Sequence, residues 1–344
     1  MHMQILENIS LISYTGMAVG GQAHYVVEVH NRIELLEGLS WAQEKNLPVI
    51  MIGNGSNVVW RDEGFNGLLL VNKIEHYDAY EEDAENVYVT VGSGEIWDSV
   101  VERTVTAGLT GIEALSLVPG TAGATPVQNV GAYGQEVGNA LLSVEAFDTQ
   151  ARDFVTIPAS DCGFGYRLSR FNSVDKGRFF ITGITLHLLK GTLLPPFYGA
   201  LQSYFDAYKI TDYSPASVRA AVMSIRTAKL PDPKIIPNNG SFFANPIITD
   251  EQYSYLSQNY SAVPHWSVGT GSVKISAAWL IEQAGYKDIH DQETGMATWS
   301  KQPLVLVNEH AKSTADVLNF KQKVIAAVQI KFNIELKQEP ELLP

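Results

Sequence analysis

Val118-Pro119-Gly120-Thr121-Ala122-Gly123-Ala124-Thr125-Pro126, followed by Gln128-Asn129-Val130-Gly131-Ala132-Tyr133-Gly134, is the stretch on which the fold turns. It holds too many glycines, prolines and small residues to form a regular element of any length. A loop this long inside a compact domain is usually functional. Its small side chains let a flat ligand approach the backbone closely. A structural Ω-loop is the alternative, and these residues alone leave it open. A second segment of the same kind, Gly53-Asn54-Gly55-Ser56-Asn57, follows the short apolar run of residues 47–52. Glycines around small polar residues after a strand let backbone N–H groups converge on an anion. Asn-Gly also favours a plain hairpin turn. G-x-G-x-x-G and the Walker pattern are both absent. Two such segments in one half point to a cofactor with a pyrophosphate and a ring system.

Working outward, residues 67–72 and 87–91 read as strands, and 180–188 alternates as a strand does. Residues 95–107 read as a helix with Ile96, Trp97, Val100, Val101 and Val105 on one face and Gly108 as the stop. A boundary falls near 190–214, where Gly191, Pro195, Pro196 and Gly199 interrupt any regular pattern. Ser214-Pro215 then starts a helix as N-cap and first residue, with Val218, Val222 and Ile225 on its face. It ends before Pro231-Asp232-Pro233. A further helix is predicted over 274–284, a strand over 303–307, and a last helix from near Ser313 to about Phe332. Mixed strands and helices of this kind give an α/β or α+β class.

Composition narrows the function. The chain has 344 residues, enough for about two domains, with a formal net charge of -13. Bulk attraction to nucleic acid or to an anionic membrane is therefore not expected. Any cation that serves an anionic ligand must be placed locally. Cys162 is the one cysteine, so no internal disulfide and no multi-cysteine metal site can form. The eight histidines show no metal-ligand spacing, and no metal is expected. The N-terminal residues lack a basic segment followed by an apolar one, and no run of about eighteen apolar residues occurs. The expected setting is cytoplasmic and the expected assembly a monomer.

Several residues can carry chemistry. Arg167, in Cys162-Gly163-Phe164-Gly165-Tyr166-Arg167, can clamp a carboxylate or phosphate, although a surface ion pair is the commoner fate of an arginine. Cys162 has no histidine near it in sequence and reads as a small packed residue. Ser241 follows Asn239-Gly240, read as a sharp turn, and precedes Phe242-Phe243. No G-x-S-x-G elbow surrounds it, so an acyl-transfer nucleophile is disfavoured. A serine can still donate a proton where its alkoxide is stabilised, and Lys229 is the nearest cation in sequence.

Together these segments resemble the UDP-N-acetylenolpyruvoylglucosamine reductase family over residues 12–339. The resemblance lies in an ordered set: residues 53–57, 119–123 and 128–134, then Gly165-Tyr166-Arg167, Arg226-Thr227-Ala228-Lys229-Leu230-Pro231-Asp232-Pro233 and Gly240-Ser241-Phe242-Phe243-Ala244-Asn245-Pro246. Gly271-Ser272-Val273-Lys274, residues 279–281 and residues 304–308 complete it. It implies an α+β chain, with an FAD-binding fold of the vanillyl-alcohol oxidase type followed by a smaller α/β substrate-binding domain. The implied division is 1–76 joined by about 333–344, then 77–213, then 214–332. The implied cofactor is non-covalent FAD, cradled at its pyrophosphate by Gly53, Asn54, Gly55, Ser56, Asn57 and by Pro119, Gly120, Thr121, Ala122, Gly123, Ala124.

The reaction implied has two halves. NADPH gives a hydride to the flavin and leaves; UDP-N-acetylglucosamine enolpyruvate then takes its place, receives the hydride at C3 and is protonated at C2. By the same resemblance Ser241 is the proton donor, Arg167 and Glu339 stabilise the enolate-like intermediate, and Tyr166, Tyr198, Lys229, Asn245 and Lys274 hold the substrate. Phe197-Tyr198-Gly199 looks like the mobile tyrosine loop of one subgroup. Departures are Ala244 where lysine is common, Trp266 where the subgroup has tyrosine, and Trp299 within an altered segment. Glu341 is the rival to Glu339. An alcohol oxidase on the same flavin fold would share the Gly-rich segments but not Arg167, Ser241 and Glu339 as a set. A UDP-sugar-binding protein without activity would have no use for Ser241.

Overall fold

Leu68, Leu69, Leu70 and Val71 are all buried, and an unbroken apolar run belongs in a strand covered on both faces. In the computed structural model, which describes residues 3–344, it lies in the Phe65–Asn72 strand. That strand runs parallel to Gln22–Val29 and to Val49–Ile52, with Leu6–Ser10 at the far edge. Parallel strands need a crossover, and the Arg32–Glu44 helix supplies the one from Gln22–Val29 to Val49–Ile52, which flank Phe65–Asn72 on its two sides. Asn31 caps that helix by accepting the Glu34 amide.

The described residues form two compact units. The first comprises residues up to Ile9, Ala23–Asn54 and Phe65–Ala228; the second comprises Ser10–Gln22, Gly55–Gly64 and Lys229–Pro344.

The first unit has a further, antiparallel sheet in the order Asp153–Pro158, Leu141–Asp148, Phe179–Lys190, Asn86–Gly92, Tyr77–Glu81. Against it packs the Trp97–Thr106 helix, close to the predicted span. Trp97, Val100 and Val101 are fully buried, each contributing about 1.5–3 kcal/mol by leaving water. Ile96, expected on that face, is instead 49% exposed. It is the extended N-cap residue and bridges to Thr121, so its side chain follows strand geometry. The stretch near 190–214, predicted only as a boundary, contains the Gly199–Tyr208 helix. Leu201 and Phe205 of that helix pack with Val218 and Val222 of Pro215–Lys229, which starts after Ser214 as expected.

In the second unit, Asn238–Ser241, Gln302–Asn308, Met296–Trp299 and His290–Asp291 form one sheet. Ile247–Thr249, Ser272–Ile275 and His265–Ser267 form another. The Thr314–Phe332 helix begins at a capping box of Ser313 and Asp316 and buries Val317, Phe320, Val324 and Val328. The helix predicted over 274–284 is shorter, Ala277–Gln283. Lys274 belongs to a strand, because Val273 and Ile275 alternate inward there and Ser276 caps the helix by accepting the Trp279 amide. Glu341–Leu343 runs parallel to Val58–Trp60.

Among the described residues, no helix is long and apolar enough to cross a membrane. No group of three or more His, Cys, Asp or Glu among them is placed to hold a metal ion.

Candidate active site

In the first unit the two Gly-rich segments meet. A β-carbon on Gly53 would stand 2.2 Å from Thr121 Oγ1, so only glycine permits this approach. Residues 122–124 form a single 3-10 turn. The Ala122 and Gly123 amides donate to Glu95 and Ser93 carbonyls, and the Ala124 amide to that of Thr121. Gly120 and Thr121 differ: among the described residues their amides have no protein acceptor. Backbone donors beside a crowded glycine contact suit the diphosphate of FAD, which needs close approach and N–H groups rather than side chains.

The same loop runs on to Gly131, whose carbonyl accepts from Arg167 Nη2 at 3.1 Å. Arg167 has φ +55°, a conformation that costs about 1–3 kcal/mol and persists only where the surroundings hold it. Asn172 donates to its carbonyl, and the Gly165 and Leu168 backbones pair reciprocally around it. The guanidinium lies over the Tyr166 ring, 5.2 Å from its centre. Asn129 ties the loop to this turn: its side chain donates to Glu136 and to the Gly165 carbonyl and accepts the Gly138 amide. Tyr198 directly precedes the Gly199–Tyr208 helix and meets Tyr133 edge-on at 5.9 Å.

In the second unit, Gly55 takes φ +74°, with Tyr14 O only 2.1 Å from where a β-carbon would be. The Ser56 and Val58 carbonyls accept from Asn239 Nδ2 at 2.9 and 3.2 Å. Asn239 Oδ1 is buried without a partner. The Gly55-Ser56-Asn57 segment is thus fastened two residues from Ser241.

Ser241 itself does not follow a tight turn. It closes the Asn238–Ser241 strand, where a bulge at Gly240, φ +69°, shifts the register against Val305. A bulge re-aims the side chain that follows it. Phe242 and Phe243 beyond it are fully buried. The Glu339 amide donates to the Phe242 carbonyl at 2.9 Å, and the Ala244 amide to that of Lys337 at 3.0 Å. Ser241 and Glu339 therefore sit on neighbouring backbone stretches. The Glu341 amide donates instead to Asn57 O.

Asn245 Oδ1 accepts the Ala277 amide at 2.9 Å. Lys274 is paired across the sheet with Ile247 and with Trp266, and its ammonium is 5.7 Å from the Trp266 ring centre. Lys229 is exposed, and Trp299 Nε1 donates to its carbonyl at 3.0 Å. Two of the departures from the family pattern thus support predicted substrate residues. Sequence reasoning did not single out Asn129 or Asn239. Asn129 lies within a Gly-rich motif that gives its side chain no distinct signal, and nothing in the local pattern of Asn239 reveals a partner far away in sequence.

Cys162 is fully buried, its Sγ donates to Pro158 O at 3.5 Å, and burial pushes the thiol up to about 11. At pH 8 only about one thiol in a thousand is then ionised. Iodoacetamide at pH 8 is expected to label the folded protein far more slowly than the guanidinium-unfolded chain, read by mass spectrometry. Equal rates would place the thiol at the surface.

The FAD binding domain family matches residues 23–152, and the C-terminal domain of UDP-N-acetylenolpyruvoylglucosamine reductase matches residues 232–343. UDP-N-acetylenolpyruvoylglucosamine reductase from Alcanivorax borkumensis is 41% identical over 297 residues, 86% of this chain and 84% of that protein. The protein of the same name from Dechloromonas aromatica is 38% identical over 98% of both chains. The crystal structure of UDP-N-acetylenolpyruvylglucosamine reductase from Thermus caldophilus shares the fold, with a TM-score of 0.69 and 23% identity over the whole of both chains. The α+β chain, with its FAD-binding domain, belongs to the UDP-N-acetylenolpyruvoylglucosamine reductase family and is an FAD-dependent oxidoreductase that takes NADPH as reductant and acts in peptidoglycan precursor synthesis.

Proposed function

We propose that the chain converts UDP-N-acetylglucosamine enolpyruvate to UDP-N-acetylmuramate with Ser241, Arg167 and Glu339 as its catalytic residues. The observation that carries this reading is the Glu339 amide bonded to the Phe242 carbonyl, which sets the two side chains' backbones side by side and favours Glu339 over Glu341. When bound, FAD would supply the hydride chemistry that links NADPH to C3 of the enolpyruvyl group. The rest is done by side chains. The Arg167 fork pairs with the substrate carboxylate, into which negative charge spreads as C3 is reduced; a preorganised cation there lowers the barrier. Glu339 assists in its protonated form, donating a hydrogen bond to the developing enolate; as a carboxylate it would repel that charge. Ser241 gives its hydroxyl proton to C2, which completes the lactyl ether.

Gly53, Asn54, Gly55, Ser56, Asn57 and residues 119–124 hold FAD, with the Gly120 and Thr121 amides as the donors of the second segment. Tyr166, Tyr198, Lys229, Asn245 and Lys274 hold the UDP-sugar, and Tyr198 closes over it as in the tyrosine-loop subgroup. The working protein is a cytoplasmic monomer. Its division of labour is FAD binding by 1–76 with 333–344 and by 77–213, and substrate binding by 214–332.

The test is anaerobic. NADPH should bleach the visible flavin band, and UDP-N-acetylglucosamine enolpyruvate should then restore it promptly. Bleaching without recovery would sink the substrate assignment.

A further inference from the structure

Leu117 lies two residues before Pro119 and adopts φ +57°, the left-handed region that residues with a β-carbon avoid. Charged side chains hold both of its peptide groups. Its N–H donates to Asp98 Oδ1 at 2.7 Å, and its carbonyl accepts from Arg226 Nη2 at 3.2 Å. Asp98, in the first turn of the Trp97–Thr106 helix, also accepts from Arg219 Nη1 and Nη2 at 2.6 and 3.1 Å. Arg219 is only 8% exposed. Arg219 and Arg226 are about two turns apart on the Pro215–Lys229 helix and so share a face.

The charges do not balance inside this cluster. One carboxylate faces two guanidinium groups, and the other acid nearby, Glu102, is exposed and 3.9 Å from Arg219, where water screens it. Arg226 Nε is buried with no hydrogen-bond partner; the Tyr133 hydroxyl is its other polar neighbour. So expensive an arrangement needs a return beyond packing, since burying an imperfectly paired charge is destabilising. What it holds is the entry to Gly120 and Thr121, the loop residues whose amides lack a protein acceptor. The Trp97 amide, donating to Gly120 O at 3.1 Å, ties the same helix to that point.

We infer that Asp98, Arg219 and Arg226 form a charged clamp on the Leu117 peptide groups that sets the Gly120 and Thr121 amides for the FAD diphosphate, with Arg226 as a positioning residue. The inference rests on the reading of residues 119–124 as the FAD cradle.

FAD titration of the apoprotein, followed by flavin fluorescence, tests it, with the melting temperature of each apoprotein measured separately. Arg226→Met is expected to raise the Kd for FAD about 10- to 100-fold, the loss of a hydrogen bond to a charged donor. Arg226→Lys keeps the charge and one donor and should recover part of that loss. Asp98→Asn should also weaken FAD, and with Arg226→Met should cost less than the product of the single effects, because both act through one peptide. A Kd unchanged in Arg226→Met overturns the clamp, even if the apoprotein melts lower. Should that variant not fold, a parental Kd in both Arg226→Lys and Asp98→Asn overturns it. Gly53→Ala separates the two readings: if it too leaves the Kd unchanged, the cradle itself is misassigned, whereas if it alone weakens FAD, only the clamp falls.

Discussion

Ser241→Ala is expected to leave reduction of bound FAD by NADPH within about twofold of the parent and to slow recovery of the flavin band on adding substrate by about 10²- to 10⁴-fold, the usual worth of a positioned proton donor. The asymmetry comes from the chemistry. Taking a hydride from NADPH requires no proton at C2 of the substrate, whereas the second half-reaction ends on that proton. The substitution is mild for the fold. Ser241 closes its strand after the Gly240 bulge, and its backbone pairing with Val305 does not involve the hydroxyl. Stopped-flow absorbance under anaerobic conditions reads both halves on one sample. Equal slowing of both would make Ser241 structural and remove it from the mechanism.

Gly53→Ala should yield a folded but colourless protein whose Kd for FAD is raised by more than about 100-fold, as expected when two polar segments are forced out of register with a diphosphate. The new methyl would sit 2.2 Å from Thr121 Oγ1 and 3.1 Å from Thr121 Cγ2. Thr121 has little room to retreat: it is buried, and the Trp97→Gly120 and Ala122→Glu95 backbone bonds hold the chain on either side. One of the two segments must therefore move. Adding Thr121→Ala removes both clashing γ atoms and should restore part of the affinity. A yellow Gly53→Ala protein with the parental flavin content would show that this contact does not shape the cofactor site.

What the chain reveals in one dimension depends on the range of the interaction. The Leu68–Val71 run, the Ser313 cap and the Ser214-Pro215 helix start are local signals, and the strand and helices they mark are where they were expected. The Gly-rich segments were legible for the same reason. The Gly199–Tyr208 helix was not, because Pro195 and Pro196 lie just before it, Gly199 opens it, and its stability comes from packing with Val218 and Val222. Lys274 has a helical look in the sequence because the residues after Ser276 are helical, and only the pairing with Ile247 and Trp266 makes a strand of it. The supporting residues were hidden by distance. Arg219 and Asp98 are 121 positions apart, Arg226 and Leu117 109, and Asn239 and Ser56 183. No local pattern encodes such partners.

The pairing of Glu341–Leu343 with Val58–Trp60 has a consequence for timing. A ribosome delivers the earlier strand long before the later one, so the segment just after Gly55-Ser56-Asn57 stays an open edge throughout synthesis. Such remote pairings also form slowly, since chain entropy is lost before contacts repay it. The second unit can pair this edge only once residues 341–343 have left the exit tunnel.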